Sequence, residues 1–273
     1  MLSGEKHIFI GDHKQMPPVI VASHDEEWVT KSIFEQMTNS GIQSTRLETT
    51  YRMNEAINAF PSYAFYDGHL VTASENRSRM LRVSLPQQSV IGRLLSPDKP
   101  EVFAIVPHKG KGMRSPEEAV LIANLIREAI IYGMKVDEIA VVSPYRAQVR
   151  LIREATKKAI NIDDEVLDKM IDTVEKMQGQ EANLVIISLV TSDPSHAAKR
   201  AAFYFMPNRL NVAITRAKCK RIVIGSHLLF QAQPENPLHR KWVDLYRSFF
   251  DSSTQVIVNP DDIRRLAPSN GGG

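Results

Sequence analysis

A chain of 273 residues, 43% of them hydrophobic, is long enough to bury one large core or two small ones. No stretch approaches the roughly 18 consecutive apolar residues that a membrane-spanning helix needs. A single cysteine, Cys219, rules out intrachain disulfides and cysteine-based zinc sites, and with no signal-peptide pattern at the start the expected home is a reducing cytoplasm.

In chain order, short β-branched runs without clean alternation predict buried parallel strands at His7–Ile10, Val102–Val106, Ile139–Val142, Leu184–Val190 and Arg221–Gly225. Helical patterns lie between them. One covers Pro116–Tyr132, with Ser115 as N-cap, Pro116 at the first position, Glu117 and Glu118 in the first turn and Gly133 closing it. A second runs from about Arg146 to Ala159 and a third over Asn211–Ala217. Strands alternating with helices predict an α/β fold, a doubly wound parallel sheet. The net charge of +3 is small, but no Asp or Glu occurs from Pro194 to Gln233. That stretch carries Lys199, Arg200, Arg209, Arg216, Lys218, Lys220 and Arg221, which reads either as a solvated face or as a surface that attracts phosphates.

Five motifs stand at strand ends or helix starts. They are Gly11-Asp12-His13-Lys14-Gln15-Met16-Pro17-Pro18, Thr50-Tyr51-Arg52-Met53, Ser143-Pro144-Tyr145-Arg146-Ala147-Gln148, the run Asp172–Glu181, and Arg209-Leu210-Asn211-Val212-Ala213-Ile214-Thr215-Arg216-Ala217-Lys218. In this order they resemble superfamily 1 helicases, in the branch of the nonsense-mediated-decay helicase and the Okazaki-fragment nuclease-helicase. The resemblance runs from about residue 7 to about residue 230. It implies a RecA-like P-loop NTPase fold, with ATP and Mg2+ held between two motor domains. Phosphoryl transfer is catalysed by positioning and by neutralising charge, so the second domain reaches across with arginines.

By that resemblance Arg52 and Arg216 are arginine fingers, their planar forks suited to two phosphate oxygens. Gln15 offers a neutral amide to the γ-phosphate or its attacking water, or is simply a turn residue beside Pro17 and Pro18. Glu181, following Gln178 and Gly179, accepts from ribose hydroxyls or ties the arginines in place, or else favours a helix start. Gly179 and Tyr51 complete the expected nucleotide contacts, Tyr51 stacking on adenine or packing as a core aromatic. Ser143 and Tyr145 are expected at the carboxyl end of the strand Ile139–Val142 and, with Thr173, grip a single strand, the two hydroxyls through its phosphates, with plain N-capping as their alternative. Departures from the pattern are Met16 for Leu, Met177 for Phe, Glu175 and Asn183 for Asp, and Ser143 for Thr.

No Gly-x-x-x-x-Gly-Lys-[Ser/Thr] loop exists; Gly110-Lys111 comes closest and is followed by Gly112. Val19–Ala22 leading to His24–Glu27 mimics a strand ending in magnesium-binding acids, but stands after the Gln15 motif where the family has its acids before it. The expectation is therefore a remnant of the first motor domain over residues 1–45, a second RecA-like domain over 46–260 and a flexible tail over 261–273. Such a chain has the first motor domain and single-stranded nucleic acid as partners, DNA ahead of RNA, no membrane, and no ATP turnover of its own. Movement from 5′ to 3′ is implied by the resemblance alone. The rivals are a stand-alone nucleic-acid-binding module and one half of a split ATPase.

Overall fold

The computed structural model describes residues 7–17, 32–83, 85–86 and 88–267. In chain order the elements are α1 (Ile33–Asn39), β1 (Thr49–Thr50), α2 (Glu55–Tyr66), β2 (Val71–Thr72), α3 (Val90–Leu95), β3 (Glu101–Ile105), α4 (Pro116–Ile131), β4 (Ile139–Ser143), α5 (Arg146–Ala159), α6 (Asp164–Met170), β5 (Ile171–Thr173) and β6 (Ala182–Ser188). They continue as α7 (Pro194–Lys199), α8 (Ala201–Tyr204), α9 (Pro207–Ile214), β7 (Ala217–Gly225), α10 (Pro237–Ser252), β8 (Thr254–Ile257) and α11 (Pro260–Leu266). Six strands form one parallel sheet in the order β5-β4-β6-β7-β3-β8, while β1 and β2 pair separately.

Alternation along the strands splits the apolar residues into two cores. Phe103, Val142, Val185, Ile187 and Val223 face α2, α9 and α10. Val102, Ala104, Val141, Ile186, Ile222 and Ile224 face α3, α4 and α5. Helices on both faces of a parallel sheet are the doubly wound architecture that the β-branched runs predict. Helix α4 starts where expected, the Ser115 hydroxyl accepting from the Glu118 amide at 3.3 Å, and Gly133 beyond it adopts φ +101°, which a side chain would strain. Among the described residues no helix is long and apolar enough to cross a membrane.

Several expectations shift. Residues 7–10 form no strand, and Ile8 and Ile10 are 89% and 90% exposed, because their backbone groups find no neighbouring strand among the described residues. The helix expected over Asn211–Ala217 begins four residues earlier, at Pro207, and Ala217 already belongs to β7. Pro207 at the first helical position is the start signal. Residues 261–266, expected as the start of a flexible tail, instead belong to α11, which packs Ile263 and Leu266 on the second core, and the Leu266 carbonyl accepts from Asn124 at 3.1 Å. The acid-like run Val19–Glu27 lies outside the described residues.

The acid-free stretch is neither a solvated face nor a phosphate-attracting one throughout, since Arg209, Arg216, Lys220 and Arg221 are buried. Lys220, fully buried in β7, donates to the carbonyls of Ser96 (2.9 Å) and Lys99. Burial, reinforced by the charge of Lys99, pulls its ammonium from 10.5 down to about 7. Between those values the unfolded chain binds more protons than the folded one, so stability rises with pH. From pH 7 to pH 9 this site contributes a rise of about 2 kcal/mol, and Lys220→Met is expected to abolish it. Urea midpoints of both proteins at the two pH values check this; an unchanged rise in the variant would place its source elsewhere.

Candidate nucleotide-sensing site and nucleic-acid face

Strand β7 starts with a bulge. Ala182 pairs with Ala217 and Leu184 with Lys220, so Lys218 and Cys219 oppose Asn183 alone. Around this amino-terminal end of the sheet the motif residues converge. Asn54, the N-cap of α2, takes its amide proton to the Lys218 carbonyl at 3.1 Å and its side chain to the Cys219 carbonyl at 3.0 Å, which brings the 50–53 segment alongside β7. Arg52 then donates Nε to Glu181 Oε2 at 2.8 Å and Nη1 to the Thr215 carbonyl at 3.1 Å. Lys218 Nζ holds the other Glu181 oxygen at 2.6 Å. The two cations, Lys218 foremost, pull the Glu181 carboxyl down to about 2.

Arg216 is 2% exposed. Its Nε donates to the Val212 carbonyl at 2.9 Å, Nη1 to the Gln180 carbonyl at 3.3 Å and Nη2 to the Thr215 hydroxyl at 3.1 Å. A guanidinium has five N–H groups, so one on each terminal nitrogen of Arg216, and three on Arg52, remain for another acceptor. Both arginines thus hinge on Thr215. Burial first, and the charge of Arg52 second, pull Arg216 down to about 10. Gly179 adopts φ +88°, turning the chain so that Gln180 and Glu181 reach the two arginines. Tyr51 is 68% exposed, so it is no core aromatic, and it stands next to Arg52.

Gln15 is half-buried and stitched to the same body. Its Nε2 donates to Asp12 Oδ2 at 2.9 Å, an oxygen that also accepts from the Tyr66 hydroxyl at 2.7 Å. Asn211 Nδ2 donates to that hydroxyl at 2.9 Å and to the Lys14 carbonyl at 3.0 Å, while Asn208 Nδ2 donates to the carbonyls of His13 and Gln15 at 3.0 and 2.6 Å. Burial, and then Asp12, push the Tyr66 phenol well above its usual range. Tyr66, Asn208 and Asn211 carry no role in the sequence reading, and Lys218 figures there only as one cation of the basic stretch. The spacing of Asn208 and Asn211 on one face of α9, with Thr215 at its C-cap, is the signal that could have found these polar contacts.

Ser143, Tyr145 and Thr173 lie together at the opposite, carboxyl end, with Ser143 and Thr173 paired across β4 and β5. All three are buried. The Ser143 hydroxyl donates to the Ser188 carbonyl at 3.2 Å, and the Tyr145 ring packs against His196, Phe203 and Tyr204. Neither hydroxyl residue acts as a side-chain N-cap: Thr173 uses its carbonyl to accept from Lys176 and Met177. The departures are absorbed locally, Glu175 pairing with buried Arg209 at 2.6 Å and Asn183 donating to Glu138 at 2.7 Å.

Residues 29–228 match the family described as AAA domain. An uncharacterized ATP-dependent helicase of Methanocaldococcus jannaschii is 33% identical over 85% of this chain and 34% of its own length. The regulator of nonsense transcripts 1 homolog of Drosophila melanogaster is 27% identical over 83% of this chain and 19% of its own. The DNA replication ATP-dependent helicase/nuclease dna2 of Schizosaccharomyces pombe is 28% identical over 81% of this chain and 17% of its own. The chain therefore spans about a third or less of the length of these relatives. By the match over residues 29–228 and the relatives that share it, this chain belongs to the AAA domain family, of the superfamily 1 helicase type.

Proposed function

We propose that this chain is the second motor half of an ATP-dependent helicase, residues 46–260 forming the motor domain and residues 1–45 belonging to the preceding one. It supplies arginine fingers and γ-phosphate sensing to a nucleotide whose phosphate loop and Mg2+ lie on the other half. The observation that carries the reading is the pair Arg52 and Arg216, both hinged on Thr215, repelling each other and each keeping N–H groups in reserve. Holding like charges together costs free energy that an anion between them offsets. The donor set suits phosphate oxygens and does not suit a metal ion, since Glu181 is engaged by Arg52 and Lys218.

In this reading the guanidinium groups act on the charge that builds as the γ-phosphoryl transfers. Glu181 stays ionised across neutral pH and keeps Arg52 aimed, and Gln15 reports whether the phosphate is present. Tyr51, exposed beside Arg52, is the stacking candidate for the base. The carboxyl-end surface around Tyr145 grips a single strand, DNA ahead of RNA. The chain alone is expected to release no phosphate from ATP with Mg2+ and single-stranded DNA. Turnover that persists through repurification would defeat the two-half reading.

A further inference from the structure

The Gly110-Lys111 loop, which has no place in the nucleotide site, is fastened unusually firmly. Val190, just past β6, adopts φ +67°, a conformation that β-branched residues rarely take. Thr191 N–H donates back to the Leu189 carbonyl at 2.6 Å, closing a three-residue turn of the strained kind. The carboxylate of Glu118, fully buried on α4, holds this turn. It accepts from the Val190 amide with both oxygens, at 3.0 and 3.1 Å, and from the Ser188 hydroxyl at 2.6 Å. Its Oε1 also meets His108 Nε2 at 2.8 Å, and the far side of that ring, Nδ1, meets the Ser192 hydroxyl oxygen at 2.9 Å.

From there the bonds pass to the loop. Ser192 Oγ accepts from the Lys111 amide at 3.0 Å, the Lys111 carbonyl accepts from the Ser192 and Asp193 amides at 2.8 and 3.2 Å, and the Thr191 hydroxyl donates to the Gly112 carbonyl at 2.7 Å. Gly112 lies so close to the His196 ring that a Cβ would come within 3.2 Å of it. What this framework presents to solvent is basic. Lys109 and Arg114 are exposed with no side-chain partner among the described residues, and Lys111 pairs with Glu117 at 2.9 Å. The nearby Asp193 carboxylate is occupied in capping Ser195 and His196 of α7.

We infer that the loop from Lys109 to Arg114 is a phosphate-backbone contact of the nucleic-acid face, and that Glu118 is its positioning residue, acting through the Val190 turn, His108 and Ser192. The loop sits at the carboxyl end of the sheet, where α/β folds place ligands. Two long, unpaired cations several residues apart suit a repeating phosphate chain read without regard to sequence. A buried carboxylate on which three donors converge is more than a helix needs for packing; one branch of its bonds runs through Ser188 to Gln148 and the other through the Val190 turn, His108 and Ser192 to the loop.

The inference rests on the reading that the chain grips single strands, and one experiment separates the two. Fluorescence anisotropy with a labelled oligothymidylate between about 50 and 200 mM salt gives the slope of log affinity against log salt. For Lys109→Ala/Arg114→Ala the slope is expected to become shallower by about 1.4, at ~0.7 for each phosphate no longer neutralised. Glu118→Gln keeps the shape but turns one acceptor into a donor. It is expected to lose the same slope, and adding the double substitution is expected to change nothing more. Because a slope does not depend on the folded fraction, mere destabilisation would leave it at the wild-type value. If Glu118→Gln fails to fold, Ser192→Ala, which cuts the links to His108 and Lys111 and leaves Glu118 on the Val190 turn, carries the test with a partial loss expected. An unchanged slope for Lys109→Ala/Arg114→Ala overturns the site, and a wild-type slope in the folded Glu118→Gln or Ser192→Ala protein overturns the positioning role. If the wild-type chain binds no oligonucleotide at any salt, the strand-gripping reading itself falls, and this inference with it.

Discussion

Replacing Arg52 or Arg216 by Ala, in a polypeptide that also carries the phosphate loop, is expected to slow ATP hydrolysis by roughly a thousandfold, about 4 kcal/mol of transition-state stabilisation. The expectation follows from where the charges sit. Arg52 is held at the mouth of the site by Glu181 at 2.8 Å, while Arg216 lies behind it, fixed by three hydrogen bonds of its own chain. Neither has to find its orientation during the reaction, and preorganised charge in a water-poor site is worth far more than the same charge in solvent. Single-strand binding without nucleotide should change little, because both arginines lie at the amino-terminal end of the sheet and the surface proposed to grip the strand at the other. Glu181→Gln is the milder companion: it leaves both arginines in place but weakens the hold on Arg52 and Lys218. Steady-state phosphate release and anisotropy on the same preparations check these outcomes, and strand binding that falls in step with hydrolysis would contradict the separation.

Glu101→Ala is expected to destabilise the fold by ~3–5 kcal/mol, the cost of leaving a buried charge uncompensated. Arg221 has no exposed surface, lies 5.0 Å over the Phe249 ring centroid, and meets Glu101 Oε2 through Nη2. Glu101 Oε1 accepts from the Ser253 hydroxyl at 2.7 Å, tying the end of α10 to the same pair. Burial pulls the Arg221 guanidinium down, and its Nη1 also donates to the carbonyls of Ile57 at 3.4 Å and Ile214 at 2.5 Å. Removing both partners together, as Glu101→Ala/Arg221→Met, is expected to recover most of the loss, since a well-packed apolar pair replaces ion and counter-ion. Chemical denaturation of the single and double variants measures this. A single variant within about 1 kcal/mol of wild type would show that the pair carries little.

These buried cations mark the limit of what the sequence discloses. The runs that became β3, β4, β6 and the core of β7 are legible because β-branched residues without alternation have few other places to go. Helix α4 announces itself through Ser115, Pro116 and Gly133, and α5 through a span that needs no correction. Strands β5 and β8, of three and four residues, leave no such run, since Asp172 and Thr173 break one and Thr254 and Gln255 the other. Arg209, Arg216, Lys220 and Arg221 look like surface charge in one dimension; only the contacts with Glu175, Thr215, Ser96 and Glu101 reveal them as buried, and every one of these except Thr215 is distant in sequence. The candidate site is legible by motif as a set of residue types. Its stitching through Tyr66, Asn208 and Asn211 to the 12–15 segment joins residues up to 197 positions apart, a closure that no local pattern encodes.

The most direct measurement is ATP turnover by Arg216→Lys in the polypeptide that carries the phosphate loop, beside its strand affinity. Lys keeps the charge but loses the fork, and with it the simultaneous bonds to Val212, Gln180, Thr215 and a phosphate. The account predicts turnover slowed by at least ~100-fold with strand binding unchanged, in the range expected when one preorganised donor is removed. Wild-type turnover, or a modest salt-dependent loss of strand binding with hydrolysis intact, would make Arg216 one more cation of a basic run and contradict it.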